Sequence, residues 1–140
     1  MAGSDAIFID TAFVYAVINP RDQWHEKAVE WQRKIEAEKL YLLTTEFVLA
    51  EIADGLSAVN FRRDAWRAIH ILQENPYVKI VPASSELFAQ ALNLYQQRPD
   101  KNWGLTDCTS FVMMTENNLT EALTTDEHFR QAGFKALLLG

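Results

Sequence analysis

Hydrophobic residues in this chain fall into short blocks and into longer stripes with a helical repeat. Ile7-Phe8-Ile9, Leu40-Tyr41-Leu42-Leu43 and Ala136-Leu137-Leu138-Leu139 are unbroken blocks. A block of this kind predicts a strand covered on both faces, because a half-exposed strand would alternate with polar residues. Val78 to Val81, ending at Pro82, and Glu121-Ala122-Leu123-Thr124-Thr125 read as two further short strands. Between the blocks lie the stripes. Ala12 to Ile18 predicts a short helix ended by Asn19-Pro20. A second helix, capped by Asp22 and running to about Glu38, carries Trp24, Ala28, Trp31 and Ile35 on one face. Its His25, Glu26, Arg33 and Lys34 read as a solvated face. Thr44-Thr45 predicts a cap for a third helix, with Val48, Ile52 and Leu56 as its buried stripe. A further helix carries Trp66, Ile69, His70 and Leu72 and closes at Asn75-Pro76, which predicts a packed His70. Ser84-Ser85-Glu86 opens another, with Leu87, Ala91, Leu94 and Tyr95 facing inward. The last long helix starts at Leu105-Thr106-Asp107, with Thr106 as its cap and Phe111 and Met114 on its apolar face, and ends at Asn117-Asn118.

Strands that alternate with helices at these lengths predict an α/β protein: a three-layer α/β/α arrangement with a parallel sheet of about five strands. The 140 residues suit a single domain over 1–140, and no repeat or linker divides them. A hydrophobic share of 49% with 23% charged residues fits a water-soluble globular chain. No apolar run approaches the ~20 residues that span a bilayer, so no membrane partner is expected. The lone cysteine, Cys108, excludes an internal disulfide, fits a reducing cytoplasm, and reads as a small buried thiol rather than a nucleophile. Residues 1–4, Met1-Ala2-Gly3-Ser4, fit a cloning scar or a disordered start and are set aside. The net charge of −6 argues against nucleic-acid binding through overall charge, yet leaves room for a nuclease whose carboxylates are neutralised by metal.

Four carboxylates change the picture. Asp10 stands where the first strand ends, and chemistry in parallel sheets gathers beyond the carboxyl ends of strands. Alone, Asp10 is either a helix cap or the first member of an acidic site. Asp126 ends a later strand in the same way. Glu51 lies beside the buried stripe of the third helix, either at its edge reaching water or in a cleft. Asp107 opens the last long helix. Converging carboxylates would repel one another and hold each other's protons unless a cation were present. Hard divalent ions such as Mg²⁺ or Mn²⁺ relieve that repulsion and favour oxygen ligands.

With its acidic positions in this order, the chain resembles the PIN-domain family, and within it the VapC-type toxins. The resemblance rests on Ile9-Asp10-Thr11, Leu49-Ala50-Glu51-Ile52, Leu105-Thr106-Asp107 and Leu123-Thr124-Thr125-Asp126-Glu127-His128-Phe129, and it covers nearly the whole chain. It implies strand order 3-2-1-4-5 and Mg²⁺- or Mn²⁺-dependent cleavage of RNA by an endoribonuclease. It places Asp10, Glu51, Asp107 and Asp126 on the acidic catalytic and metal-holding positions. Thr11 and Thr125 fall on supporting hydroxyl positions. A toxin role implies an antitoxin protein as partner, and members of the family pair as homodimers.

Arg62, Arg63 and Arg67, beside Phe61 and Trp66, form the local basic cluster, and charge alone makes them the candidates for RNA phosphates. Other readings of the same sheet fare less well. A receiver domain needs adjacent acidic residues after the first strand and a lysine after the last core strand, but Thr11 follows Asp10 and Lys135 precedes the final block. An aspartate-nucleophile phosphatase needs a second aspartate two positions on, where Ala12 stands. A non-toxin RNA-processing nuclease, and an interaction module with a silent acidic pocket, remain as alternatives to the toxin.

Overall fold

The computed structural model describes residues 5–140; residues 1–4, set aside above, lie outside the described residues. The element order is β1 (Ile7–Ile9), α1 (Thr11–Ile18), α2 (His25–Glu38), β2 (Leu42–Thr45), α3 (Glu46–Gly55) and α4 (Val59–Glu74). It continues with β3 (Val78–Val81), α5 (Ser85–Gln97), α6 (Leu105–Glu116), β4 (Glu121–Leu123), α7 (Glu127–Gln131) and β5 (Lys135–Ala136). The five strands form one parallel sheet in the order β3-β2-β1-β4-β5, flanked by helices. This is the expected three-layer α/β architecture.

β1 lies at the centre of the sheet because all three of its residues are buried, which requires cover on both faces. It pairs with β2 through Phe8 and Leu43 and with β4 through Ile9 and Leu123. Phe8, Ile9, Leu43, Leu123, Met114 and Phe129 make the fully buried centre of the core. Phe111 joins them, meeting Phe129 edge-on with ring centres 4.9 Å apart. β3, at one edge, is only partly buried and turns Lys79 to solvent, a charge that discourages pairing with another sheet.

Several boundaries differ from the expectation, each for a local reason. β2 runs two residues later than the apolar block: Tyr41 is exposed, while Thr44 and Thr45 pair with Ile80 and Val81. Both threonines are fully buried, and hydrogen bonding makes that possible. Thr44 donates to the Ile9 carbonyl (2.9 Å), and Thr45 accepts the Val48 N–H (3.1 Å) as the N-cap of α3. Asp22 does not cap α2 directly. Its Oδ1 accepts the Trp24 N–H (2.8 Å) in the preceding turn, and the helix begins at His25. The N-cap of α6 is Gly104 rather than Thr106, because Asp107 reaches back to the Gly104 N–H (3.0 Å). β4 stops at Leu123, and β5 is Lys135–Ala136, after which the chain turns while Leu137 N–H still reaches the Ala122 carbonyl (2.9 Å). His70 is exposed rather than packed, stacked on the exposed Trp66 ring with centres 5.1 Å apart. Tyr95 likewise faces solvent, so the inner face of α5 is carried by Leu87 and Ala91.

Candidate active site

The parallel pairing of β1 with β4 sends both chains out of the same edge of the sheet, and the acidic residues gather there. Asp10 follows β1, Asp126 follows β4 as the N-cap of α7, Glu51 comes from α3, and Asp107 from the first turn of α6. All four line one open cavity of about 310 Å³, together with Thr11, Tyr15 and His128.

Asp10 occupies the N-cap position of α1, yet its side chain makes no capping hydrogen bond. Its Oδ2 instead accepts the hydroxyl of Thr124 at 2.7 Å, across 114 positions of chain. The Thr124 oxygen also accepts the Asp126 N–H at 3.0 Å, so one buried hydroxyl ties the two strand-end aspartates together. The hydroxyl supporting Asp10 is therefore that of Thr124, next to the expected Thr125, which is half-buried. Thr11 donates its hydroxyl to Glu51 Oε1.

Tyr15 holds α1 against α3. Its hydroxyl donates to the Glu51 carbonyl at 3.1 Å, and its ring lies where a Cβ on Gly55 would collide with it. Glycine at position 55 thus allows the approach that sets Glu51 beside Thr11. On the opposite wall, His128 Nδ1 lies 3.1 Å from Asp107 Oδ2 and 3.3 Å from Asp126 Oδ1. His128 N–H is also held by Asp126 Oδ1 (2.9 Å). One ligand atom each from Asp107, Asp126 and His128 lie within 4.8 Å of one another.

The electrostatics follow from this packing. Asp10 is only 5% exposed, and burial lifts its pKa from 3.8 to about 7, against the lowering effect of Thr124 and the Thr11 backbone and with help from Asp107 and Glu51. Burial also raises Glu51, and the charges of Asp107 and Asp126 add to it despite the Thr11 hydroxyl. Asp107 is raised by burial first; the Gly104 N–H and His128 pull it down while Asp126 pushes it up. Asp10, Glu51 and Asp107 are thus each raised in part by a neighbouring carboxylate. Cys108 sits behind Asp107, fully buried, with its thiol pushed up by burial, so it serves packing and not nucleophilic attack.

The donor set fits a hard divalent cation. A nearly enclosed carboxylate whose only partners are neutral donors, facing three more carboxylates, lacks a compensating charge, and oxygen-seeking ions supply it. The basic cluster lies elsewhere. Arg62, Arg63 and Arg67 are all on α4; Arg62 donates to the Ser57 carbonyl (3.1 Å), and Arg67 lines a largely apolar groove with Phe13, Val17 and Ile71. None of the three lines the acidic cavity.

The family model described as PIN domain matches residues 7–135. The chain belongs to the PIN-domain family. This PIN domain is 27% identical over 128 residues to the 23S rRNA-specific endonuclease VapC20 of Mycobacterium tuberculosis, covering 91% of this chain and 95% of that one. The crystal structure of VapC20, a sarcin-ricin loop cleaving toxin, superposes with a TM-score of 0.79 at 26% identity, covering 92% of this chain and 96% of VapC20. VapBC2 from Rickettsia felis, bound to a DNA fragment from its promoter, gives a TM-score of 0.64 at 16% identity, covering 94% of this chain and 96% of that one. FitAcB from Neisseria gonorrhoeae gives 0.60 at 20%, covering 93% and 94%. These last two show the shared fold.

Sequence reasoning placed the four carboxylates but did not single out Thr124, Tyr15 or His128. His128 had a signal of its own: two residues after a strand-end aspartate, it falls in the first turn of α7, facing the cap.

Proposed function

We propose that this PIN domain is a metal-dependent endoribonuclease and the toxin of a toxin–antitoxin pair. The observation that carries the reading is the convergence of Asp10, Glu51, Asp107 and Asp126, from four separate elements, on one open cavity. The likeness to VapC20 supports RNA as the substrate class and makes ribosomal RNA the first to try. Likeness to the VapBC2 and FitAcB structures supports a protein antitoxin as partner. Pairing of two copies, as family membership suggests, is part of the same proposal.

Asp10, Asp107 and Asp126 would hold Mg²⁺ or Mn²⁺, with Glu51 completing the cage or orienting the attacking water. The ion, when bound, supplies a Lewis acid for the phosphodiester and stabilises the leaving oxygen. The chain's own residues prepare the ground. Thr124 fixes the Asp10 carboxylate and Thr11 fixes that of Glu51. His128 and the Gly104 N–H orient Asp107. Arg62, Arg63 and Arg67, outside the cavity on α4, are assigned to more distant phosphates of the strand.

The test is direct. Purified protein should degrade single-stranded RNA with Mn²⁺ or Mg²⁺ and stop on addition of EDTA. Asp10→Asn should reduce cleavage to background while keeping the far-UV circular dichroism of the parent. Cleavage by Asp10→Asn at the parent rate overturns the assignment.

A further inference from the structure

Among the described residues, the lining of the acidic cavity includes no lysine or arginine. A phosphate-bearing strand entering it needs positive and aromatic contacts alongside, since four carboxylates repel it. An adjoining cavity supplies both. Gly104, whose N–H holds the Asp107 carboxylate at 3.0 Å, also closes a second, half-polar cavity of about 650 Å³. Tyr95, Arg98, Lys101, Asn102 and Trp103 line it.

The loop between α5 and α6 that forms this cavity is braced. Arg98 bonds Asp100 through two nitrogens, both at 3.1 Å, and its guanidinium stands 5.0 Å from the centre of the Trp103 ring. Trp103 is buried, donates its indole N–H to Gln131 Oε1 (3.0 Å), and meets Phe111 edge-on at 5.0 Å. Arg98 and Trp103 are thereby committed to the wall. Lys101 is not. Its ammonium lies 4.0 Å from Asp100 Oδ2, an oxygen already bonded to Arg98. Tyr95 is 50% exposed, so its ring is open to a stacking partner, and Asn102 is also exposed.

We propose that this cavity is an RNA subsite that seats a nucleotide neighbouring the one at the carboxylates, its base stacked on Tyr95 and its phosphate drawn to Lys101. Asn102 supplies donor and acceptor groups for the base edge. A sequence-tolerant aromatic face beside a cation held only by a long, 4.0 Å ion pair is the combination that single-stranded nucleic acid takes up. The subsite rests on the ribonuclease reading for its substrate, but it is tested by binding and not by turnover.

The experiment measures fluorescence anisotropy of a labelled single-stranded RNA 12-mer on the Asp10→Asn chain with Mg²⁺, over a salt series. Adding Tyr95→Ala should weaken binding roughly tenfold, while Tyr95→Phe keeps it. Adding Lys101→Ala should flatten the salt slope by about 0.7, the share of one single-strand phosphate contact, and Lys101→Arg should restore it. Thermal midpoints within a degree or two of the parent show that packing is intact. Unchanged affinity and slope in both alanine variants overturn the subsite, as does failure of the Asp10→Asn chain to bind the RNA. Whether the parent cleaves RNA is read separately, so a failed nuclease reading and a failed subsite give different results.

Discussion

The two walls of the acidic cavity solve the same electrostatic problem differently. On the inner wall, Asp10 and Glu51 are held by the hydroxyls of Thr124 and Thr11, neutral donors that cannot balance a charge. On the outer wall, Asp107 and Asp126 accept backbone N–H groups from Gly104 and His128 at two helix starts, and the His128 ring stands between them. Helix N-termini favour negative charge, which offsets part of the burial cost of the outer pair, although burial still raises Asp107. Asp10 has the Thr11 backbone N–H at the start of α1 as well as the Thr124 hydroxyl, yet it is the more deeply buried, and burial lifts its pKa to about 7. The inner half therefore carries the larger uncompensated burial cost. The inner half is where metal should matter to stability, and the outer half is where it should matter less.

The largest expected effect comes from removing the inner charge. Asp10 has a folded pKa raised from 3.8 to about 7, so the folded state keeps a proton that the unfolded state releases. Its contribution to stability is present below pH ~4 and is lost as pH rises through about 7, an amount on the order of 4 kcal/mol. Metal-free protein should therefore lose stability between pH 4 and 8, with Glu51 and Asp107 adding in the same direction. Asp10→Asn should remove most of that slope and be more stable than the parent at pH 8 without metal, as urea unfolding at several pH values will show. A parent whose metal-free stability rises from pH 5 to 8 contradicts the contrast between the walls.

Next comes the bridge between them. Thr124→Val strips the donor from Asp10 and the acceptor from the Asp126 N–H in a fully buried position. A cost of about 1–3 kcal/mol is expected, with weaker Mn²⁺ binding by calorimetry. Thr124→Ser, which keeps the hydroxyl, should recover most of the metal affinity.

His128→Ala tests the outer wall. The backbone N–H groups remain, so a loss of roughly tenfold in metal affinity is expected, with little change in stability. A loss as deep as that of Asp10→Asn would place His128 among the direct ligands. The smallest effect belongs to the periphery: Arg62→Ala with Arg63→Ala should modestly weaken RNA binding and flatten its salt dependence, read by filter binding across a salt series. An unchanged slope removes α4 from the RNA path.

Much of this arrangement was legible in the residues. Ile7-Phe8-Ile9 with no polar residue could only be a strand covered on both sides, and an aspartate directly after it sits at a reactive edge. The same pattern at Asp126 and the helix-start Asp107 completed an acidic set in the right order. Details of contact were harder to read. Thr124 and Thr125 are neighbours with the same chemistry; which hydroxyl reaches Asp10 depends on where β4 ends, and it ends at Leu123. His70 and Tyr95 follow helical spacing into their stripes, but both are exposed, so the buried stripes are narrower than the sequence suggested.

The chain's own pattern of blocks, stripes and breakers determined the alternation of strands and helices, and with it the parallel sheet and the acidic ends of its strands. Tertiary structure alone decided who touches whom across that edge: the Thr124 hydroxyl on Asp10 from 114 positions away, Tyr15 seated over Gly55, and His128 between two carboxylates. Local sequence fixes backbone tendencies over a few residues. Contacts between distant side chains depend on strand register and helix rotation, and these are set only when the whole core packs.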